Sequence, residues 1–498
     1  MSRPLVIAGG RVLNAPAHQA VPADLRIRGD RIEAVGAPGS LGTEDAEIVD
    51  AAGFLLVPGF VNTHTHGHGS LGKGTGDRWT LELLLNAGPW ISGKRTLDDK
   101  RLAAKLNAAE MLRKGCTTAY DMYYEFPVPS IDGLAAAAEA YIEVGVRVVL
   151  TPQIADLSLY EAIPDLLDRL PDGLRREAEK FRLRPLEECI GAVRGLLESW
   201  PHDRDKARPA IGPTIPIHCT DPFLAACRDL ARDFDVGVQV HLAESKVQAV
   251  NGLRRWGRSI VSELDRIGLL GPGFTGAHSV WLDSEDIARL AERGANVAHN
   301  PGSNLMLGSG IAPVREMRRQ GLNVGIGTDG SNSSDHQNCF EAMRLAAFVQ
   351  RITSFDPTDW MPAEEIVHMA TEGGARAAGF EGRLGRLEPG YLADVVFLDL
   401  DGFGFVPLND PTNQLVLSED GTAVHSVMVA GQFAYRNRAF LRFDEASLKA
   451  EVAKTLERLK QDTAEDRLLA ERLEAHMRAT CLGLARSPYH VHRTCAWH

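Results

Sequence analysis

The chain has 498 residues, 44% hydrophobic and 24% charged, which is ordinary for a globular protein and long enough for one large domain plus a smaller one. A net charge of −12 argues against a nucleic-acid partner, and no run approaches the roughly 20 apolar residues that cross a bilayer. Seven dispersed cysteines without a CxxC pair, and an N-terminus "MSRPLVIAGGRVLNAP" with no long apolar stretch, set the expectation of a soluble, cytoplasmic protein with reduced thiols.

Residues 1–58 read as short strands punctuated by Gly, Asn and Asp: "PLVIAGGRVLN", "DLRIRGDRIEAVG" and "AEIVDAAGFLLVPG". Similar β-like pieces return over 384–443, in "GRLEPGYLADVVFLDLD" and "VHSVMVAGQFAYRNRAF". The expectation is a composite β-sandwich domain made of 1–58 and 384–443. Between them, 59–383 alternates apolar strand-like runs with helical patterns such as "LDDKRLAAKLNAAEMLRKG" and "SEDIARLAERG". Eight candidate strands fit this stretch: "GFVNTHTH", "CTTAYDMY", "VRVVLTPQI", "ARPAIGPTIPI", "VGVQVHLAE", "FTGAHSVWL", "ANVAHNP" and "LNVGIGTDG". That arithmetic predicts an α/β fold, a (β/α)8 TIM barrel with a small β-sandwich built from both terminal regions. The stretch 156–208 is too long for a simple connection and is expected to hold two helices. Residues 444–498 form a charged tail with helical periodicity, expected to be a packing or oligomer helix.

In such barrels the active groups stand at the C-terminal ends of strands. "PGFVNTHTHGHG" ends the first strand with histidines at alternate positions, which point to one face. His64 and His66 can converge on a metal; His68, between two glycines, is assigned to a flexible loop closing over the substrate. His241 ends the strand of "VGVQVHLAES", and Glu244 three residues later is either a general acid/base or a solvated loop carboxylate. His278 closes "TGAHSVWLD", as a proton-transfer or charge-stabilising group or as a core histidine. Asp329 ends the last strand in "GIGTDG", either as a metal and water-orienting carboxylate or as an Asx turn or helix cap; Asp335 suits the cap for "CFEAMRLAAFVQ" better. Imidazole with carboxylate suits Zn²⁺ or Fe²⁺ better than Mg²⁺ or Ca²⁺.

The order HxH, HxxE, H, D, carried by "PGFVNTHTH", "HLAES", "AHSVWLD", "AHNPGSNLMLGSGIAPV" and "GIGTDG", resembles the amidohydrolase superfamily over nearly the whole chain. The similarity is to its branch of guanine deaminase, S-adenosylhomocysteine deaminase and atrazine chlorohydrolase. That resemblance implies one divalent metal per subunit, held by His64, His66, His241 and Asp329. It implies Glu244 as proton shuttle and His278 as the group that polarises substrate or water. Binuclear relatives place a lysine at the end of the fourth strand; "ARPAIGPTIPIHCTD" has none, which favours a mononuclear site. The chain departs from adenosine-type deaminases where they carry "PHAPYTCS": Thr214 stands in place of the ribose-contacting histidine, and His218 follows four residues later. Lys73 falls where many relatives have arginine.

The expected activity is hydrolytic release of ammonia from an amino-substituted planar N-heterocycle of purine, pyrimidine, pterin or triazine type, by attack of metal-bound hydroxide. Ring opening, loss of an amine or urea substituent, and dechlorination are alternatives on the same site; a non-catalytic relative is a further one. His68, Trp79, Trp90, Tyr123, His218 and Asn304 are candidate substrate contacts, the aromatics by stacking on a flat ring. The expected partners are the small-molecule substrate and further copies of the chain, in a homodimer or higher homo-oligomer, with no nucleic acid and no membrane.

Overall fold

The structure is a computed structural model that describes residues 3–494; the last of the seven cysteines, Cys495, lies outside them. Eight parallel strands form the barrel: β1 (Phe60–Thr65), β2 (Cys116–Tyr124), β3 (Arg147–Ile154), β4 in two pieces (Ala207–Pro209 and Gly212–Pro213), β5 (Val238–Leu242), β6 (Phe274–His278), β7 (Asn296–His299) and β8 (Asn323–Ile326). Each matches one of the eight runs read from the sequence. Both faces of the strands are covered, so polar positions are buried along with apolar ones, and all five residues of β5 (VQVHL) are buried. β1 to β4 pair in one sheet and β5 to β8 in a second. The two sheets meet where Gln239 N–H donates to the Ile211 carbonyl at 2.9 Å and His241 N–H to that of Thr214 at 2.8 Å. On the opposite side, Asp329 N–H donates to the His64 carbonyl at 2.9 Å, which draws the end of β8 against β1.

The helices follow their sequence signals. Leu97–Arg113 begins at a capping box of Thr96 and Asp99, and Ile131–Val144 ends at Gly145 in the left-handed conformation. The stretch 156–208 holds four α-helices rather than the two expected: Leu159–Ala162, Leu166–Arg169, Asp172–Ala178 and Leu186–Glu198. Pro164, Pro171 and Pro185 lie between them, and a proline cannot donate into a helix that continues through it. Asp335 does not cap Cys339–Arg351. Asn338 does, accepting from Phe340 N–H at 3.1 Å, while Asp335 instead accepts from Gly74 N–H at 2.8 Å.

Strands from both ends of the chain form one nine-stranded sheet. Its order is Ala439–Phe440, Gln432–Arg436, Val424–Val429, Val395–Asp399, Phe54–Pro58, Leu5–Asn14, Gln19–Arg28 and Arg31–Gly36, with Glu47–Asp50 also paired to Leu5–Asn14. Phe54–Pro58 is bonded to an N-terminal strand on one side and a C-terminal strand on the other, and only Gly59 separates it from β1. The tail forms two helices, Glu445–Asp462 and Ala464–Ala485. The second packs on the helix Leu81–Ser92, where Asn86 Nδ2 donates to the Ala470 carbonyl at 2.9 Å. No helix among the described residues is long and apolar enough to cross a membrane.

Candidate functional site

Four imidazoles and two carboxylates meet at the C-terminal end of the barrel. Alternation on β1 turns Asn62, His64 and His66 to one face, and alternation on β5 does the same for Gln239 and His241. His66 Nε2 lies 3.1 Å from His241 Nε2 and 3.2 Å from Asp329 Oδ1; His64 Nε2 lies 3.4 Å from the same oxygen. His278 Nε2 lies 3.9 Å from Asp329 Oδ2 and 3.7 Å from Glu244 Oε2. Glu244 is 1% exposed, which rules out the solvated-loop alternative.

The tautomers follow from the outer partners. His66 Nδ1 faces the Met122 carbonyl at 2.6 Å and His241 Nδ1 that of Thr214 at 2.8 Å, so each Nδ1 carries the proton and each Nε2 a lone pair. Gln239 donates through Nε2 to the Thr63 carbonyl at 2.9 Å, which leaves Oε1 to accept from His64 Nδ1 at 2.7 Å. Asn304 Oδ1 accepts from His278 Nδ1 at 2.9 Å. All four Nε2 lone pairs therefore aim inward. Two of them face each other at 3.1 Å, an arrangement that needs a cation between them. A single proton there would still leave His64 Nε2, His278 Nε2 and Glu244 Oε2, all buried, without a partner. A divalent ion answers the set, since donors 3.1–3.4 Å apart have the spacing of ligands held about 2 Å from a common centre. Neutral imidazole with carboxylate oxygen is a donor set for Zn²⁺ or Fe²⁺.

Electrostatics agree. Burial alone would raise the Asp329 carboxyl, but the facing His64 and His66 hold it well below its ordinary range. Burial, and after it the neighbouring histidines, keeps His241 neutral well below its ordinary value; burial takes His278 down to about 4. Glu244 goes the other way, raised well above its ordinary value by burial and then by Asp329 and Glu82. Backbone strain collects at the same place: Ala243, His278, Ser279 and Asp329 all take positive φ, from 44° to 68°, in a region non-glycine residues seldom occupy. Gly67 is dictated by the site too, because a Cβ there would come within 2.4 Å of Asp121 Oδ2. Asp121 accepts from Gly67 N–H at 2.9 Å and from the Tyr141 hydroxyl at 2.8 Å, and burial raises its carboxyl to about 6.

Beside the cluster opens a cavity of about 380 Å³, with His66, His241, Glu244 and Asp329 in its wall. Two of the six candidate substrate contacts, His68 and His218, line it. The other four do not. Trp79 and Trp90 pack edge-to-face at 6.3 Å and against the apolar cluster of Leu81, Leu84 and Ile91. Tyr123 is fully buried, its hydroxyl donating to the Lys100 carbonyl at 3.0 Å; strand alternation presents Tyr124 to the cavity instead. Asn304 is occupied in orienting His278. His68 is not on a flexible loop but in the 3₁₀ helix Gly67–Gly72, where its Nδ1 accepts from Tyr124 N–H at 3.1 Å. Lys73 pairs with Glu110 at 2.6 Å, half-exposed, and stays out of the cavity. Gln239, which orients His64, is not among the residues expected from the sequence, although a polar side chain two residues before His241 in β5 is a signal for it.

The sequence profile of the Amidohydrolase family matches residues 55–434. A 5'-deoxyadenosine deaminase of Methanopyrus kandleri is 35% identical over 397 residues, 79% of this chain and 84% of that protein. A 5-methylthioadenosine/S-adenosylhomocysteine deaminase of Syntrophobacter fumaroxidans is 33% identical, over 84% of this chain and 90% of the relative. Among solved structures, a zinc-bound adenosine deaminase from Xanthomonas campestris superposes with a TM-score of 0.79 at 28% identity, covering 92% of this chain and 98% of that one. A zinc complex of atrazine chlorohydrolase from Arthrobacter aurescens TC1 gives 0.80 at 27%, covering 91% and 100%. A barrel with inward imidazoles at its strand ends, and kinship over most of its length, lead to one conclusion: the chain belongs to the amidohydrolase family.

Proposed function

We propose that the chain is a mononuclear, zinc-dependent aminohydrolase that replaces the amino group on an amidine carbon of a planar N-heterocycle with oxygen from water. The carbon–nitrogen bond breaks and a carbon–oxygen bond forms; one proton of that water goes to the ring nitrogen of the product and the other leaves with the amino group as ammonia. The observation that carries this reading is the convergence of four Nε2 lone pairs and one buried carboxylate beside an orphaned Glu244 oxygen. His64, His66, His241 and Asp329 are assigned to the metal. When bound there, the ion supplies Lewis acidity that brings the pKa of a water to about 7.

The protein's own groups do the rest. Burial keeps Glu244 protonated more readily than an ordinary carboxyl, which suits it to carry a proton to a ring nitrogen and then to the departing amine. His278, neutral at ordinary pH and fixed by Asn304, faces both Glu244 and Asp329 and polarises the attacked carbon's surroundings. A second reading, displacement of another ring substituent, rests on the similarity to atrazine chlorohydrolase and uses the same groups. The cytoplasmic setting belongs to this proposal, supported by six buried free thiols among the described cysteines, as does a homo-oligomeric state.

The test is metal analysis of the natively purified protein, then ammonia release from aminopurines, aminopyrimidines, aminopterins and aminotriazines. One metal per chain and turnover of one class are expected. A fully loaded protein silent on all four classes refutes deamination, and product mass spectrometry separates it from displacement of another group.

A further inference from the structure

Away from the metal cluster the cavity has few charged side chains, and each of them is already engaged. Lys94 and Asp466, at the rim, pair with each other at 3.0 Å. Glu125 is buried; its Oε1 accepts from Lys100 Nζ and from the Ser130 hydroxyl at 2.9 Å, and its Oε2 from Ser130 N–H at 2.8 Å. Ser158 in the wall donates to Glu161 at 2.8 Å. No other carboxylate among the described lining residues lies outside the metal cluster. A ribose diol is commonly read by a carboxylate that accepts from its hydroxyls. The lining also holds Gln153, Thr214 and His218, but hydroxyls brought against Phe126, Phe181 and Tyr160 would exchange water for apolar surface and lose those hydrogen bonds.

What the wall offers is aromatic surface. Phe126 lies 6.4 Å from Phe181, and Phe181 lies 6.1 Å from Tyr160; all three line the cavity. Phe126 is 43% exposed and stands beside Phe181 on the cavity wall, so its ring is open to a ligand there. Tyr160 and Phe181 come from the helical segment after β3, and the Tyr160 hydroxyl is tied to Asn86 Oδ1 at 3.0 Å, away from the ring faces. Leu84 and Leu85 of the helix Leu81–Ser92 complete the wall.

We propose that the segment after β3, with the helix Leu81–Ser92, forms an apolar subsite for an aryl or extended alkyl substituent, so that the substrate is an amino-heterocycle bearing such a group in place of ribose. This rests on the aminohydrolase reading for the chemistry at the ring, but the polarity of the subsite does not depend on it.

Binding and turnover separate the two. Calorimetry on the zinc-loaded Glu244→Gln variant compares 9-benzyladenine, adenosine and 5'-methylthioadenosine, while ammonia release from the same compounds is followed with the holoenzyme. The expected result is 9-benzyladenine binding at least about tenfold tighter than either nucleoside. Phe126→Ser or Phe181→Ser in the same background should remove most of that gap with zinc content unchanged. Equal or tighter binding of either nucleoside overturns the subsite, as does undetectable binding of 9-benzyladenine or a gap that survives both substitutions. Preferred binding of 9-benzyladenine without ammonia from any compound upholds the subsite and counts against aminopurine deamination. Ammonia from a tightly bound nucleoside does the reverse.

Discussion

Replacing Gln239 with leucine removes one amide that holds two parts of the site at once. Its Oε1 accepts from His64 Nδ1 at 2.7 Å and its Nε2 donates to the Thr63 carbonyl at 2.9 Å, both fully buried. Leucine fills a similar volume but leaves the imidazole N–H and the carbonyl without partners. Each orphaned group costs about 1–3 kcal/mol, so global stability should fall by about 2–6 kcal/mol in the metal-free protein. Metal affinity falls separately, because His64 loses the bond that fixes its tautomer and ring plane. Losing such an outer partner costs about 10–100-fold, equivalent to about 1.4–2.7 kcal/mol. Gln239→Glu keeps the acceptor for His64 but cannot donate to Thr63, and should retain most of the affinity while losing stability. Zinc titration against a competing chelator measures the first quantity and chemical denaturation of the metal-free protein the second. If Gln239→Leu binds zinc within twofold of the wild type, His64 is not a metal ligand oriented in this way.

Glu244→Gln should keep the metal and lower kcat by about 10²–10⁴-fold, the usual worth of a positioned acid/base; parallel metal analysis and ammonia assays check it, and an active variant refutes the shuttle. His218 is held at about 4, against an ordinary 6.5, by burial and then by Arg255. The unfolded chain therefore takes up that proton first, and stability present above pH 6.5 is lost as the pH falls toward 4, by on the order of 3 kcal/mol. Thermal melts over that range should show a shallower slope for His218→Gln. Asn86 joins Tyr160 to the tail helix, so Asn86→Ala should raise KM by about tenfold and leave metal content unchanged, by steady-state kinetics on a loaded protein.

The sequence carried the parts of this site that periodicity can carry. His64 and His66 at alternate positions, and His241, His278 and Asp329 each closing an apolar run, were legible because strand ends in a parallel barrel share one face. Tyr123 was misjudged for Tyr124 because both lie in one apolar run, and its register against the barrel axis is a tertiary fact. Trp79 and Trp90 were plausible stacking rings, but their burial partners include Arg467 from the far end of the chain, over the Trp90 ring at 5.4 Å. Asn304 is expected against the substrate, whereas its oxygen lies on His278 Nδ1, a pairing that only geometry shows. The four helices after β3 could have been counted from their prolines; that Leu159–Ala162 and Leu186–Glu198 help wall the cavity could not.

The strand Phe54–Pro58 has its N-terminal neighbour ready as soon as it is made, but its other neighbour, Val395–Asp399, is translated some 340 residues later. At about 5–20 residues per second, that edge stands open for roughly 20–70 s on a ribosome. Gly59 alone separates the open edge from the strand bearing His64 and His66. The metal-bearing end of the chain thus waits, tethered to an unfinished β-edge, until nearly the whole barrel has emerged. Such an edge is a template for pairing with another chain. Expression yield and misassembly in this protein should therefore respond to the speed of translation through the barrel more than to substitutions in the site itself.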